Sequence, residues 1–230
     1  MELFAPAYLP KEKGLLIFDL DGTLADTIDG IRDGVNLAME KYGFPVRNYG
    51  EILAAVGTGA RDLVKRSLPA ERASDEALVD EVLREYNARY GETYRRCRIY
   101  DGMTESISAL AEMGYTLAVL SNKQDVYVKK IVEELFGEIP FAYVAGQTER
   151  PKKPDPTVPL WIAESLGFSP AQCSFVGDSE VDVKTALNAG MFALGCSWGY
   201  RERTLLIETG AHAVLDHPCE LVDCFLKKEF

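Results

Sequence analysis

Two carboxylates two positions apart, Asp19 and Asp21, close an apolar run in Leu15-Leu16-Ile17-Phe18-Asp19-Leu20-Asp21-Gly22-Thr23-Leu24. A run of this length and apolarity reads as a buried parallel strand, whose residues i and i+2 share a face. Asp19 and Asp21 are therefore expected to point the same way where the strand ends. Gly22 then frees the backbone to turn, and Thr23 adds a hydroxyl beside the acids. Two like charges about 4 Å apart repel by roughly 4 kcal/mol at an effective dielectric near 20. Packing alone is a poor reason to keep such a pair. A divalent cation or a shared proton is the expected compensation.

The elements that would position this chemistry follow from periodicity. Strands are expected at Tyr115–Leu120, Phe141–Ala145, Ser174–Gly177 and Met191–Cys196, with a shorter one at Ala213–Leu215. Helices are expected between them at Thr104–Met113, Val126–Phe136, Pro159–Leu166 and Val181–Ala189, and Ser169-Pro170-Ala171-Gln172 reads as a capped single turn. Alternating strands and helices predict an α/β core around a parallel sheet covered on both faces. Residues 25–96 break the alternation. Ile31, Val35, Ala38 and Tyr42 recur at helical spacing, as do Leu78, Val82, Tyr86 and Tyr90, behind a start signal at Ser74, Asp75 and Glu76. Shorter helices are expected at Glu51–Val56 and Arg61–Leu68, around the turn Gly57-Thr58-Gly59. The expected organisation is a core of residues 1–24 and 97–230 with an all-helical insertion, 25–96, joined by hinges near Ala25–Thr27 and Arg96–Tyr100.

Ligands of an open parallel sheet bind outside the carboxyl ends of its strands. The polar residues placed there are Asp19 and Asp21 after the first run, Ser121 and Asn122 after the second, and Asp178 after Ser174–Gly177; Lys153 lies in the loop after Phe141–Ala145. Each has a bland alternative. Ser121 and Asn122 suit a helix cap, Ser179 and Asp182 a capping box, and Lys153 a solvated surface beside Lys152. Together they ask four separate segments to place complementary charges in one region by accident.

Composition narrows the function classes. The chain has 230 residues, 47% hydrophobic and 27% charged, with a formal net charge of −11. That balance suits a globular enzyme and offers no basic stripe for a nucleic-acid backbone. Five cysteines without a Cys-x-x-Cys pair read as reduced thiols. The amino-terminal residues show no leader pattern, and no apolar run approaches the roughly 18 residues of a membrane span. A cytoplasmic protein with neither nucleic-acid nor membrane partners is expected; monomer and homodimer stay open.

The segments at the strand ends resemble the motifs of the haloacid dehalogenase superfamily, in the family's order. Asp19-Leu20-Asp21-Gly22-Thr23-Leu24 is similar to the first motif and Ser121-Asn122-Lys123 to the second. Lys153-Pro154-Asp155-Pro156 resembles the third, and Gly177-Asp178-Ser179-Glu180-Val181-Asp182 the fourth. The resemblance implies a Rossmann-like core with a helical cap. It implies that Asp19 is the nucleophile forming an aspartyl phosphate, and that Asp21 is general acid and then general base. Thr23 would hold that pair. Mg²⁺ would sit on Asp19, the Asp21 backbone carbonyl and Asp178. Gly22, Ser121, the Asn122 N–H and Lys153 would cradle the phosphoryl group, with Asp182 steadying the lysine or a metal-bound water. The dehalogenase and phosphonate-cleaving branches lack the second aspartate, so Asp21 favours phosphate-ester chemistry.

Specificity should come from the cap. Val56-Gly57-Thr58-Gly59-Ala60-Arg61-Asp62-Leu63, Ser197-Trp198-Gly199-Tyr200 and Lys123 resemble the corresponding segments of phosphoglycolate phosphatases. On that likeness the expected substrate is a small phosphorylated metabolite, 2-phosphoglycolate first. Arg61 is expected either to meet its carboxylate or to pair with a cap acid. His212 and His217, beyond every motif, are expected at the surface, and Trp198 at the boundary of cap and core. A sugar-phosphate mutase similar to β-phosphoglucomutase, a pyrophosphatase or nucleotidase, and a non-enzymatic binding module are the competing readings.

Overall fold

The computed structural model describes residues 13–227. The amino-terminal stretch read above for a leader lies outside them. The chain runs β1 (Leu15–Phe18), β2 (Ala25–Asp26), α1 (Ile28–Lys41), α2 (Tyr49–Ala55), α3 (Ala60–Ser67), α4 (Glu76–Thr93), β3 (Arg98–Ile99) and α5 (Met103–Glu112). It continues through β4 (Thr116–Gln124), α6 (Asp125–Phe136), β5 (Phe141–Gln147), α7 (Thr157–Ser165), a 3₁₀ turn (Pro170–Gln172), β6 (Cys173–Gly177) and α8 (Glu180–Ala189). It closes with β7 (Phe192–Cys196), α9 (Arg203–Thr209), β8 (Ala213–Leu215) and α10 (Glu220–Lys227).

Six strands form one parallel sheet in the order β5-β4-β1-β6-β7-β8. β1 sits between β4 and β6, where the order reverses direction. A crevice therefore opens beyond the carboxyl end of β1, the place such sheets reserve for a ligand. Alternate residues of β1 feed opposite faces. Leu15 and Ile17 join one apolar cluster with Ala118 and Phe175. Leu16 and Phe18 join another with Val119 and Val176, and that cluster continues into α1, α3 and α4. One face of the sheet and the helical insertion thus share a core.

The insertion consists of α1–α4, lying between β2 and β3. Its longest helix is capped by Asp75, whose carboxylate accepts from Leu78 N, rather than by Ser74. The two connections expected to be hinges are antiparallel partners, Ala25 opposite Ile99 and Asp26 opposite Arg98. The cap therefore leaves and rejoins the core through a short two-stranded ribbon.

Two expectations need correction. β4 does not stop at Leu120 but runs to Gln124, with a register irregularity against β5 between Leu120 and Gln124. Ser121 and Asn122 thus lie inside the strand, not in a loop after it. Helices α9 and α10 add to the expected elements. Leu221, Cys224 and Phe225, buried at helical spacing in α10, carry a signal for the second. Among the described residues no helix is long and apolar enough to cross a membrane.

Ile17 is fully buried at the sheet's centre, between Ala118 and Phe175. Ile17→Ala is expected to cost about 2–5 kcal/mol of unfolding free energy, the usual range for an aliphatic truncation that leaves a cavity. Urea denaturation followed by circular dichroism measures it; a loss under about 1 kcal/mol would mean that the site collapses around the deletion.

Candidate active site

The site begins where β1 ends. Asp19 N donates to Val176 O at 2.9 Å, which prolongs the β1–β6 pairing by one residue and fixes the acid at the sheet's edge. Gly22 then turns the chain with φ +86°, and a Cβ there would overlap the Asp178 carboxylate. Glycine at this position lets the first and fourth motifs approach each other.

Asp178 follows β6 and is 1% exposed. Its carboxylate accepts from Thr23 Oγ1 at 3.1 Å and from Tyr200 N at 2.7 Å. Thr23 therefore steadies Asp178, not the Asp19–Asp21 pair as expected. Asp21 is held instead by Thr27 Oγ1 at 2.5 Å and by Lys123 Nζ at 2.6 and 2.8 Å.

Asp182, on the first turn of α8, closes a capping box with Ser179, accepting from its N–H at 3.1 Å and its hydroxyl at 2.6 Å. Its other oxygen accepts from Lys153 Nζ at 2.7 Å. The same ammonium lies 2.9 Å from Asp19 Oδ1. Lys153, the residue with a surface alternative, is 3% exposed and bridges two acids from different segments. Asn122 sets its backbone, accepting from Lys153 N at 2.9 Å and donating to Lys153 O at 3.0 Å. Its amide also donates to Gly57 O of the cap at 3.0 Å. Asn122 is a clamp between strand, loop and cap, not a helix cap. Ser121 is buried at the same strand end, its Oγ accepting from Lys123 N at 3.3 Å.

The charges are unbalanced. Carboxylate oxygens of Asp19, Asp178 and Asp182 lie within 4.8 Å of one another. One lysine stands against these three buried acids. Burial pushes the Asp19 carboxyl up to about 7; Lys153 opposes the shift, and Asp182 and Asp21 add to it. Burial also raises Asp178 well above the carboxylate range, helped by Asp182 and Asp19. Burial alone would pull Lys153 down, but Asp182 and Asp19 outweigh it and hold it above its ordinary value. An all-oxygen cluster with surplus negative charge is the donor set of a hard divalent cation. Asp19, Asp178 and Asp182 are the acids that could hold one, the first two standing at the ends of β1 and β6.

A cleft of about 650 Å³, counting its open mouth, lies over these groups. The core contributes Asp19, Asp21, Ser121, Asn122, Lys123 and Asp178; the cap contributes Ile31, Val56, Leu63, Tyr86 and Tyr90. The cap is seated on the core through the Gly57–Gly59 turn. Lys152 Nζ donates to Thr58 O and Asp62 at 2.6 Å, and the Arg201 guanidinium donates to Leu53 O at 2.8 Å and Val56 O at 2.7 Å, the carboxyl end of α2. Arg61 does not line the cleft. Its exposed guanidinium pairs with Asp80 and Glu76 of α4, the cap-acid alternative of its two expected roles.

Lys123 carries more of the site than a motif likeness alone indicates. Its signal is strand periodicity. Once β4 is extended, Ser121 and Lys123 stand two apart on one face. Trp198 donates to Thr23 O at 3.0 Å, tying the segment after β7 to the first motif. His212 is exposed, as expected, stacks on Phe192, and accepts at Nδ1 from Ala193 N at 2.8 Å, away from the cleft.

Residues 16–196 match the family described as haloacid dehalogenase-like hydrolase. A phosphoglycolate phosphatase of Pseudomonas syringae pv. syringae is 32% identical over 225 residues, covering 96% of this chain and 81% of its own. One from Haemophilus influenzae (strain 86-028NP) is 31% identical over 219 residues, 90% of this chain and 96% of its own. A crystal structure from Lactobacillus delbrueckii subsp. bulgaricus, described with phosphoglycolate phosphatase as its candidate activity, superposes with a TM-score of 0.85. It is 27% identical and covers 92% of this chain and 98% of its own.

The acid cluster gives stability a pH dependence of known sign. Asp19 holds its proton more tightly folded than unfolded, so its contribution is full below about pH 4 and is lost as pH rises through about 7. A cation held by the ionised acids acts in the opposite sense. Chelator-treated protein is expected to lose thermal stability between about pH 5 and pH 8. A millimolar divalent cation should raise Tm by about 5–10 °C at roughly 100 times its Kd, and by more at high pH than at low. Thermal unfolding with and without the cation checks this. A Tm indifferent to the cation at the upper end of that range would argue against a metal site.

Proposed function

The chain belongs to the haloacid dehalogenase-like hydrolase family, and on that footing we propose that it is a Mg²⁺-dependent phosphatase whose substrate is 2-phosphoglycolate. The observation that carries the chemistry is the Lys153 ammonium between Asp19 and Asp182, with Ser121 and Asn122 at the adjoining strand end. The observations behind the substrate are the relatives of that name and a cleft that opens over the carboxylates.

Asp19 is placed to attack. Leu20 N, at 2.7 Å, and Lys153 both bond its Oδ1, which leaves Oδ2 for phosphorus. A new bond forms between that oxygen and phosphorus, the bond from phosphorus to the ester oxygen breaks, and an aspartyl phosphate results. Asp21, two residues on and facing the cleft, gives a proton to the departing alkoxide. It then takes a proton from the water that attacks phosphorus, and inorganic phosphate leaves with Asp19 restored.

Lys153, the Ser121 hydroxyl and the Asn122 N–H offset charge on the phosphoryl oxygens as it redistributes. Asp182 keeps Lys153 in place, and Thr23 and Tyr200 N keep Asp178 in place. Mg²⁺, held by Asp19, Asp178 and the Asp21 carbonyl, would supply the positive charge that lets an anionic nucleophile approach an anionic phosphate. The cap's apolar wall of Ile31, Val56 and Leu63 excludes water around the leaving group. A chain with net charge −11 suits a small-molecule substrate and not a nucleic-acid backbone.

Asp19→Asn is expected to leave the circular dichroism spectrum intact while lowering phosphate release on the order of a thousand-fold or more. The assay runs 2-phosphoglycolate against sugar phosphates, nucleotides and pyrophosphate. Unchanged turnover in the variant would remove Asp19 as nucleophile. Isomerisation of a sugar phosphate without phosphate release would replace the hydrolase by a mutase.

A further inference from the structure

The geometry points to a carboxylate subsite on the cap side of the cleft, formed by the Lys123 ammonium and the hydroxyl of Tyr90. The inference rests on the phosphatase reading and names the part of the protein that selects an acidic leaving group.

Arg201 and Lys123 are the cations that line the cleft. Arg201 is tied to the cap through Leu53 O and Val56 O, and to Glu180. Lys123 is different. Its ammonium carries three donors, and the two oxygens of Asp21 take two of them. The Tyr90 ring covers it at 4.9 Å, a cation–π contact that keeps the side chain extended along the cleft wall. One donor is left for a further acceptor.

The second, independent observation is Tyr90 itself. It is 2% exposed and lines the cleft, yet its hydroxyl has no hydrogen-bond partner among the described residues. A buried phenol left unbonded costs on the order of 1–3 kcal/mol, and a native fold keeps one mainly where something else completes it. The rest of this wall is apolar or aromatic, with Ile31, Leu63 and Tyr86 beside it. An unbonded hydroxyl and an ammonium together match a carboxylate, which needs one charge and a few donors.

The spacing agrees. Lys123 Nζ lies 2.6 Å from Asp21 Oδ1, the acid proposed to protonate the ester oxygen. In 2-phosphoglycolate the carboxylate oxygens lie only about 3 Å from that ester oxygen by ordinary bond lengths. An ester oxygen in contact with Asp21 therefore brings the carboxylate within reach of Lys123. A longer, uncharged leaving group would extend past it into the aromatic wall.

The test compares 2-phosphoglycolate with 2-hydroxyethyl phosphate, which replaces the carboxylate by a neutral hydroxymethyl group. The readout is the ratio of kcat/KM for the two esters. The parent enzyme is expected to prefer the carboxylate, and Lys123→Met to lower the ratio about ten-fold or more, chiefly through KM. Tyr90→Phe removes an unbonded hydroxyl and so leaves the fold in place; it should lower the same ratio about five-fold. Ratios within two-fold of the parent in both variants overturn the subsite, as does a parent that hydrolyses both esters equally well. A parent inert on both esters overturns the substrate reading beneath it instead, so the two failures are distinguishable.

Discussion

Lys153 is the constraint around which the site is built. Its ammonium is out of water and touches Asp19 from the end of β1 and Asp182 from α8. A buried ion pair of this kind is poor evidence for stability, since desolvation offsets much of the Coulomb gain. Removing either partner would be worse, because the other charge would be left buried and alone. The lysine therefore locks two segments distant in sequence into one arrangement, and its single charge still leaves the acids in excess. That surplus is the charge a hard divalent cation would offset. Strain of this sort persists at functional sites because the surrounding fold over-determines it.

Asn122 supplies that over-determination. One side-chain amide fixes the Lys153 backbone from both sides and reaches Gly57 of the cap as well. Lys153 and the cap's turn are thus referenced to the same residue of β4. The cap's apolar core is continuous with one face of the sheet, so its seating is supported by packing as well as by polar contacts. Arg201 bonds the last carbonyls of α2, which have no partner within their own helix. The segment after β7 reaches the site at two points. Trp198 bonds the Thr23 carbonyl, and Tyr200 bonds Asp178 through its N–H and Thr27 through its hydroxyl. The chemistry is assembled by backbone positions more than by loops free to move.

Much of this is legible in the sequence because the informative residues stand at ends of strong apolar runs. The parallel sheet and the helical insertion come from periodicity. Asp19, Asp178 and Lys153 emerge as a cluster from the polar positions just beyond each run. The failures have a common cause. Hydrophobicity stops at Leu120, but β4 continues through Ser121, Asn122, Lys123 and Gln124, polar residues that face a cleft and not a core. That hides the shared face of Ser121 and Lys123. Thr23 stands beside Asp19 and Asp21 along the chain, while its hydroxyl goes to Asp178, 155 residues away. Sequence distance cannot reveal a partner delivered by the sheet's topology. Arg61 is the case the sequence leaves between a ligand's carboxylate and a cap acid, and α4 places Glu76 and Asp80 next to it.

That last pairing decides how core and cap divide the work of recognition. The cap's charges are largely satisfied at its own surface. Lys65 pairs with Glu76, Arg47 with Glu51, and Arg89 with Glu85, as Arg61 does with its two acids. Toward the cleft the cap offers apolar and aromatic side chains and backbone carbonyls already bonded by the core. Positive charge lining the cleft comes from β4 and from the segment after β7, both elements of the core. The cap thus contributes apolar and aromatic surface to the cleft, and the core its charged groups. A change of substrate charge in a relative of this fold should then trace to position 123 before it traces to the cap's surface arginines.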